Sequence, residues 1–132
     1  MSAIITLTDQ DKSTIRVAAY GAVALLASAG APHKGVTQGS IALTSATGLV
    51  GHVLAAKSKD IKLKGKNTAE LAEQVLPALS AAMSVLNGED PAEADNFRAT
   101  ILVAVEATAH SGKQPTPAVT AMARKITEAL GA

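Results

Sequence analysis

Apolar residues recur along this chain at helical rather than strand spacing. The pattern predicts five helices, over 8–29, 37–57, 67–87, 90–110 and 116–130. Two are plainly amphipathic. In the third, Leu71, Val75, Leu79, Ala82 and Leu86 form one stripe, with Glu70, Glu73, Gln74 and Ser84 elsewhere. In the last, Val119, Met122, Ala123, Ile126 and Leu130 are opposed by Arg124, Lys125 and Glu128. The first helix, from Val17 to Ala29, and the fourth, from Ala99 to Ala109, are apolar on nearly every side. Such helices lie at the centre of a bundle or at an interface. The one alternating run, Ile61 to Lys66, is too short to suggest a sheet, and no solenoid period is present.

The ends of these helices are marked by residues suited to capping. A helix begins with amides that lack intrahelical partners, and a short polar side chain can accept from them. Thr8 with Asp9 and Asp11, Asn67 with Glu70, Asp90 with Pro91 and Glu93, and Thr116 with Pro117 all have this form. Gly30, Gly88, Gly112 and Gly131 are placed to close helices. Pro77 predicts a kink or break between Glu73 and Pro77, because an interior proline removes a donor at a cost of about 3 kcal/mol.

The second helix is the unusual one. From Gly35 to Ala56 there is no Asp, Glu, Lys or Arg, yet Ser40, Thr44, Ser45, Thr47 and His52 lie within it. A membrane span would need about twenty apolar residues, and these hydroxyls dilute the run. Close helix packing suits it better. Ala18, Gly21 and Ala22 on the first helix, and Ala42, Ala46, Gly48 and Gly51 on the second, let axes approach toward the lower end of about 8–10 Å. The stretch is therefore expected as the central helix of the bundle, with its surplus small polar groups available to a second copy.

Composition narrows the function classes. The chain has 48% hydrophobic residues and a net charge of +1, which fits one folded domain over residues 1–132 rather than disorder. It contains no cysteine, which excludes disulfide frameworks, thiolate metal sites and thiol nucleophiles, and fits a reducing cytoplasm. The opening MSAIITLTDQDKSTIR does not have the pattern of a secretory signal. Tyr20 and Phe97 are the only aromatics, so surfaces that stack bases or sugars are disfavoured. Lys57, Lys59, Lys62, Lys64 and Lys66 make a basic loop, which without arginines or aromatics is read as solvated, and there is no strong nucleic-acid signal. GKNT at Gly65–Thr68 lacks the earlier glycine of a phosphate-binding loop, position 60 being Asp.

Candidate chemistry is sparse. Glu106 and His110 share a helix face at the spacing of a half metal site, but no Glu-x-x-His or His-x-x-x-His motif accompanies them. His52 in its uncharged helix is expected as a hydrogen-bonded core or interface residue. No serine sits in a Gly-x-Ser-x-Gly elbow. The sequence thus predicts an all-α, single-domain up-down bundle of four to five helices. The first functional reading is a cytoplasmic protein without cofactors or a reaction of its own. It would act through a homodimer or a protein partner, with Ser45, Gly48 and His52 at the association surface. The second is a bundle that binds a small apolar ligand, oriented by Ser45, His52 or Tyr20. The third is a metal-assisted enzyme using Glu106, His110 and His52.

Overall fold

A computed structural model describes residues 7–55, 63–110 and 114–131. The caps predicted from sequence form as hydrogen bonds. At the start of α1 (Asp9–Ala29), Thr8 Oγ1 accepts from the Asp11 amide at 3.0 Å and Asp11 Oδ2 accepts from the Thr8 amide at 3.1 Å. The helix ends at Gly30, φ 118°, with the Ala31 amide donating to the Leu26 carbonyl at 2.8 Å. Asn67 Oδ1 accepts from the Glu70 amide at 2.9 Å. Thr116 Oγ1 accepts from the Val119 amide at 3.3 Å.

Six helices occur among the described residues, with no strand. The all-α class is as expected, and the count exceeds four to five because the predicted helix 37–57 is two helices, α2 (His33–Thr44) and α3 (Gly48–Ala55). The start moves back because Pro32, extended at φ −70° and ψ 153°, serves as the N-cap. Thr37, expected to open the helix, instead donates its hydroxyl to the His33 carbonyl at 3.2 Å. The break falls at residues 45–47, where the Ile41 carbonyl keeps its bond from the Ser45 amide at 3.0 Å and also accepts from two hydroxyls. Ser45 Oγ donates to the Ile41 carbonyl at 2.7 Å, and Thr44 Oγ1 reaches the same carbonyl at 3.1 Å. Gly48 then takes φ 71°, a left-handed value that disfavours any side chain.

Both ends of α3 are held by other helices. Glu93 Oε1 accepts from the Val50 amide at 3.1 Å, and Asn96 Nδ2 donates to the Thr47 carbonyl at 2.9 Å. At the far end, Arg16 Nε donates to the Val53 carbonyl at 3.0 Å and the Tyr20 hydroxyl to the Leu54 carbonyl at 2.6 Å. A carboxylate at the N-terminus and a guanidinium at the C-terminus each complement the helix dipole. An eight-residue helix is too short to be stable alone, so this clamp, with the burial of Val50, Val53 and Leu54, supplies what helix propensity does not.

The remaining helices are α4 (Thr68–Glu89), α5 (Pro91–Ala109) and α6 (Pro117–Ala129). Pro77 does not break α4. Glu73 and Pro77 are both exposed, so the Glu73 carbonyl that loses its donor can meet water. Gly88 does not close α4 either. The helix runs through it, and Asp90 ends α4 by donating its amide to the Leu86 carbonyl at 2.7 Å while capping α5 through the Ala92 amide at 3.0 Å. Gly112 and the lysines at 57, 59 and 62 lie outside the described residues. Lys64 and Lys66 are exposed.

Helices α1 and α5 each touch every other helix and form the centre, as their all-round apolar character predicts. Phe97, Ile15, Leu25, Leu26, Ile101 and Leu79 are fully buried between them and α4. The stretch from 35 to 55 is not central. It packs on the outside, α2 along α5 and α3 across α1 and α5. Among the described residues, no helix is long and apolar enough to cross a membrane.

Candidate association surface

The closest approach in this half of the molecule is not at Gly48, which is exposed, but at Gly39. A Cβ there would overlap Thr108 Oγ1 and come within 3.1 Å of the Ala104 carbonyl. Thr108 is buried without loss because its hydroxyl donates to that same carbonyl at 2.7 Å. Gly35, Gly39 and Leu43 form the buried stripe of α2. Gly39 lies level with Ala104 and Thr108, while Ser45 and Ala46 lie level with Ala99 and Thr100. The two helices are therefore antiparallel, and Ile41 stands at the height of Val103.

With α2 pressed onto α5, their outer edges form one face. Ala42, Ser45, Ala46, Ala99, Thr100 and Val103 line a shallow groove along it. Val103 lines the groove itself, whereas Ile41, two residues on from the buried Gly39, lies on the side of α2 turned away from α5. Ile41 and Val103 are the two large apolar side chains most exposed among the described residues, at 51% and 60%. A second open apolar groove continues down α5 past Leu102, Val103 and Ala107 to Glu106 and His110. Glu106 Oε1 and His110 Nε2 stand 3.6 Å apart on the exposed rim.

The residues singled out from sequence are dispersed. Ser45 lies on this face with its hydroxyl bound to Ile41. Gly48 sits at the start of α3, where the Glu93 carboxylate would meet a Cβ at 3.1 Å. His52 is not a core residue, since α3 turns it outward and exposes it. Tyr20 is half-buried with its hydroxyl committed to Leu54. Burial raises the Tyr20 pKa above the ordinary tyrosine value, and the Arg16 cation pulls it partly back.

This placement bears on the metal and ligand readings. Glu106 and His110 lie near the C-terminal end of α5, whereas α3 and His52 are tied to Glu93 near its N-terminal end, roughly 20 Å away along the helix. Among the described residues no group of three His, Asp or Glu side chains could hold a metal ion. A half-enclosed hollow of about 190 Å³ lies between Gly30, Pro32, Ala109, Pro115 and Val119. It is smaller than ordinary ligand pockets, about 300–1,000 Å³, and neither Tyr20, Ser45 nor His52 lines it.

Two features were missed from sequence. Val103 was hidden inside a helix apolar on all sides, where periodicity cannot separate the buried face from the one left over. Glu93 fitted its own helix as a capping-box acid and gave no sign that it would cap α3. No protein-family model, curated protein or solved structure matches this chain, so the functional reading rests on the geometry.

Proposed function

We propose that this chain acts by associating with a second copy of itself through the outer face of α2 and α5, without a reaction of its own. The observation that carries this is the exposure of Ile41 and Val103, both half exposed or more, with Val103 lining a groove floored by small residues. An alanine-rich core buries little apolar area per residue, and a second copy adds burial where the first leaves it undone.

The expected affinity is modest. Covering the exposed part of each Ile41 and Val103 contributes roughly 1 kcal/mol per side chain. Four such side chains in a dimer offset only the low end of the association cost, about 4–15 kcal/mol.

Light scattering across a concentration series tests the reading. The native chain is expected to shift from monomer to dimer mass, and Val103→Asp to remain monomeric with unchanged helical circular dichroism. Val103 is exposed, so the substitution should alter stability by no more than about 0.5 kcal/mol. A native chain that stays monomeric throughout would overturn the proposal.

A further inference from the structure

Four helix ends converge on one hollow. The turn between α1 and α2 supplies Gly30 and Pro32, and the end of α5 supplies Ala109. The approach to α6 supplies Pro115 and Thr116, and its first turn Val119. The space between them is about 190 Å³. Ala109 and Val119 are buried and form its floor. Pro32 and Pro115 have no amide to donate and a fixed φ, so these walls are short of donors and stiff. The Thr116 hydroxyl already accepts from the Val119 amide at 3.3 Å. Among the described residues no charged side chain lines the hollow, and Gln114, which does, is exposed. Packing does not fill it. A Cβ added to Gly30 would find nothing nearer than Val119 Cγ2, at 4.0 Å. The grooves along the outer side of α5 lie open to solvent, whereas this hollow is half enclosed.

We propose that this hollow binds a small uncharged apolar molecule, of the size of benzene or indole. Volume sets the limit. An apolar cavity of about 150 Å³ is enough for benzene. The hollow, at about 190 Å³, has room for such a ring but not for the ligands that fill about 300–1,000 Å³. Chemistry sets the class. A charged ligand would give up hydration and meet no opposite charge among the described lining residues. Water held there needs about two to four polar partners, which the apolar floor does not offer, so an apolar molecule displaces it with gain. The site differs from the one expected from sequence, since Tyr20, Ser45 and His52 have no part in it. It shares no lining residue with the groove between α2 and α5, so it does not depend on self-association.

Indole titrated into the native chain and followed by methyl NMR tests the assignment. The Ala109 and Val119 signals are expected to move along a saturating curve, while those of Val75 and Leu79, between α1 and α4, stay fixed. Ala109→Leu extends a side chain from the floor into the hollow. This variant is expected to keep its helical circular dichroism and to lose most of the Val119 shift. Benzene is expected to compete with indole in the native chain, a readout that needs no variant. Ala109 and Val119 signals that stay still up to the solubility of indole would overturn the proposal. So would saturating shifts at Val103 alone, which would put the ligand in the outer groove of α5. A Val119 shift of full size in folded Ala109→Leu, or indole binding untouched by benzene, would overturn it as well.

Discussion

The α1–α4 and α2–α5 pairs use one device and reach different ends. In each, a glycine lies under a larger side chain of the facing helix. A Cβ on Gly21 would come within 2.6 Å of Val75 Cγ2, and one on Gly39 would overlap the Thr108 hydroxyl. Beyond that contact they diverge. The far side of α4 carries Glu70, Glu73 and Ser84, all exposed and suited to water. The far side of the α2–α5 pair carries Ile41, Ala99 and Val103. One pair turns polar side chains outward, and the other leaves Ile41 and Val103 exposed. Tight packing therefore does not by itself distinguish a helix pair that only holds the fold from one that also presents a surface. The chemistry of the outer edge does.

The largest effect should come from filling the closer of the two contacts. Gly39→Val drives a branched side chain into Thr108 and the Ala104 backbone, which cannot rotate away. A loss of about 3 kcal/mol or more is expected in urea denaturation. Gly21→Ala should cost less, about 1 kcal/mol, because the added group is smaller, the approach is looser and alanine regains helix propensity. Trimming Val75 to alanine in the same chain should remove part of that cost. Equal losses at the two glycines would show that the closer approach at Gly39 carries no extra cost.

A middle-sized effect is expected where α3 is clamped. Glu93→Ala strips the Val50 amide of its acceptor and should destabilise the protein by about 1–2 kcal/mol. Amide exchange should rise within α3 before it rises in α4. Exchange that rises evenly along the chain would show that α3 is not held as a separate element.

The smallest effect concerns the other end of the same clamp. Tyr20→Phe removes one hydrogen bond to Leu54, worth about 1 kcal/mol. It should also change the alkaline limb of stability. The folded pKa of Tyr20 is raised, so the folded state favours the neutral phenol. Its contribution is therefore complete below the unfolded value, about 10, and is lost as pH rises through the folded value. The native chain should lose stability there faster than Tyr20→Phe. Tyr20 is the only tyrosine and there is no tryptophan, so phenolate absorbance follows this one group. Matching alkaline limbs would remove Tyr20 from the clamp.

The same contrast governs how much was legible in the sequence. Helices with charge on one side announced themselves. The α4 stripe Leu71, Val75, Leu79, Ala82 and Leu86 is buried as predicted, as are Val119, Met122, Ile126 and Leu130 near the C-terminus. Local caps were legible for the same reason, since Thr8, Asn67, Asp90 and Thr116 act within a few residues of themselves. The uncharged 35–56 stretch gave no such orientation. Its break depends on Glu93 and Asn96 of α5 and on Arg16 and Tyr20 of α1, partners distant in sequence that no local pattern records. The exposed face was illegible on the same ground. Ser45 was found among small hydroxyl residues, but Ile41 and Val103 looked like core until folding decided which side of each helix faced out.

Methyl NMR spectra of the native chain at low and high concentration test the central claim most directly. If the α2–α5 face is covered by a second copy, the Ile41 and Val103 methyl signals move with concentration while those of Val75 and Leu79, between α1 and α4, stay fixed. Signals of Ile41 and Val103 that remain still across the whole range would contradict the account.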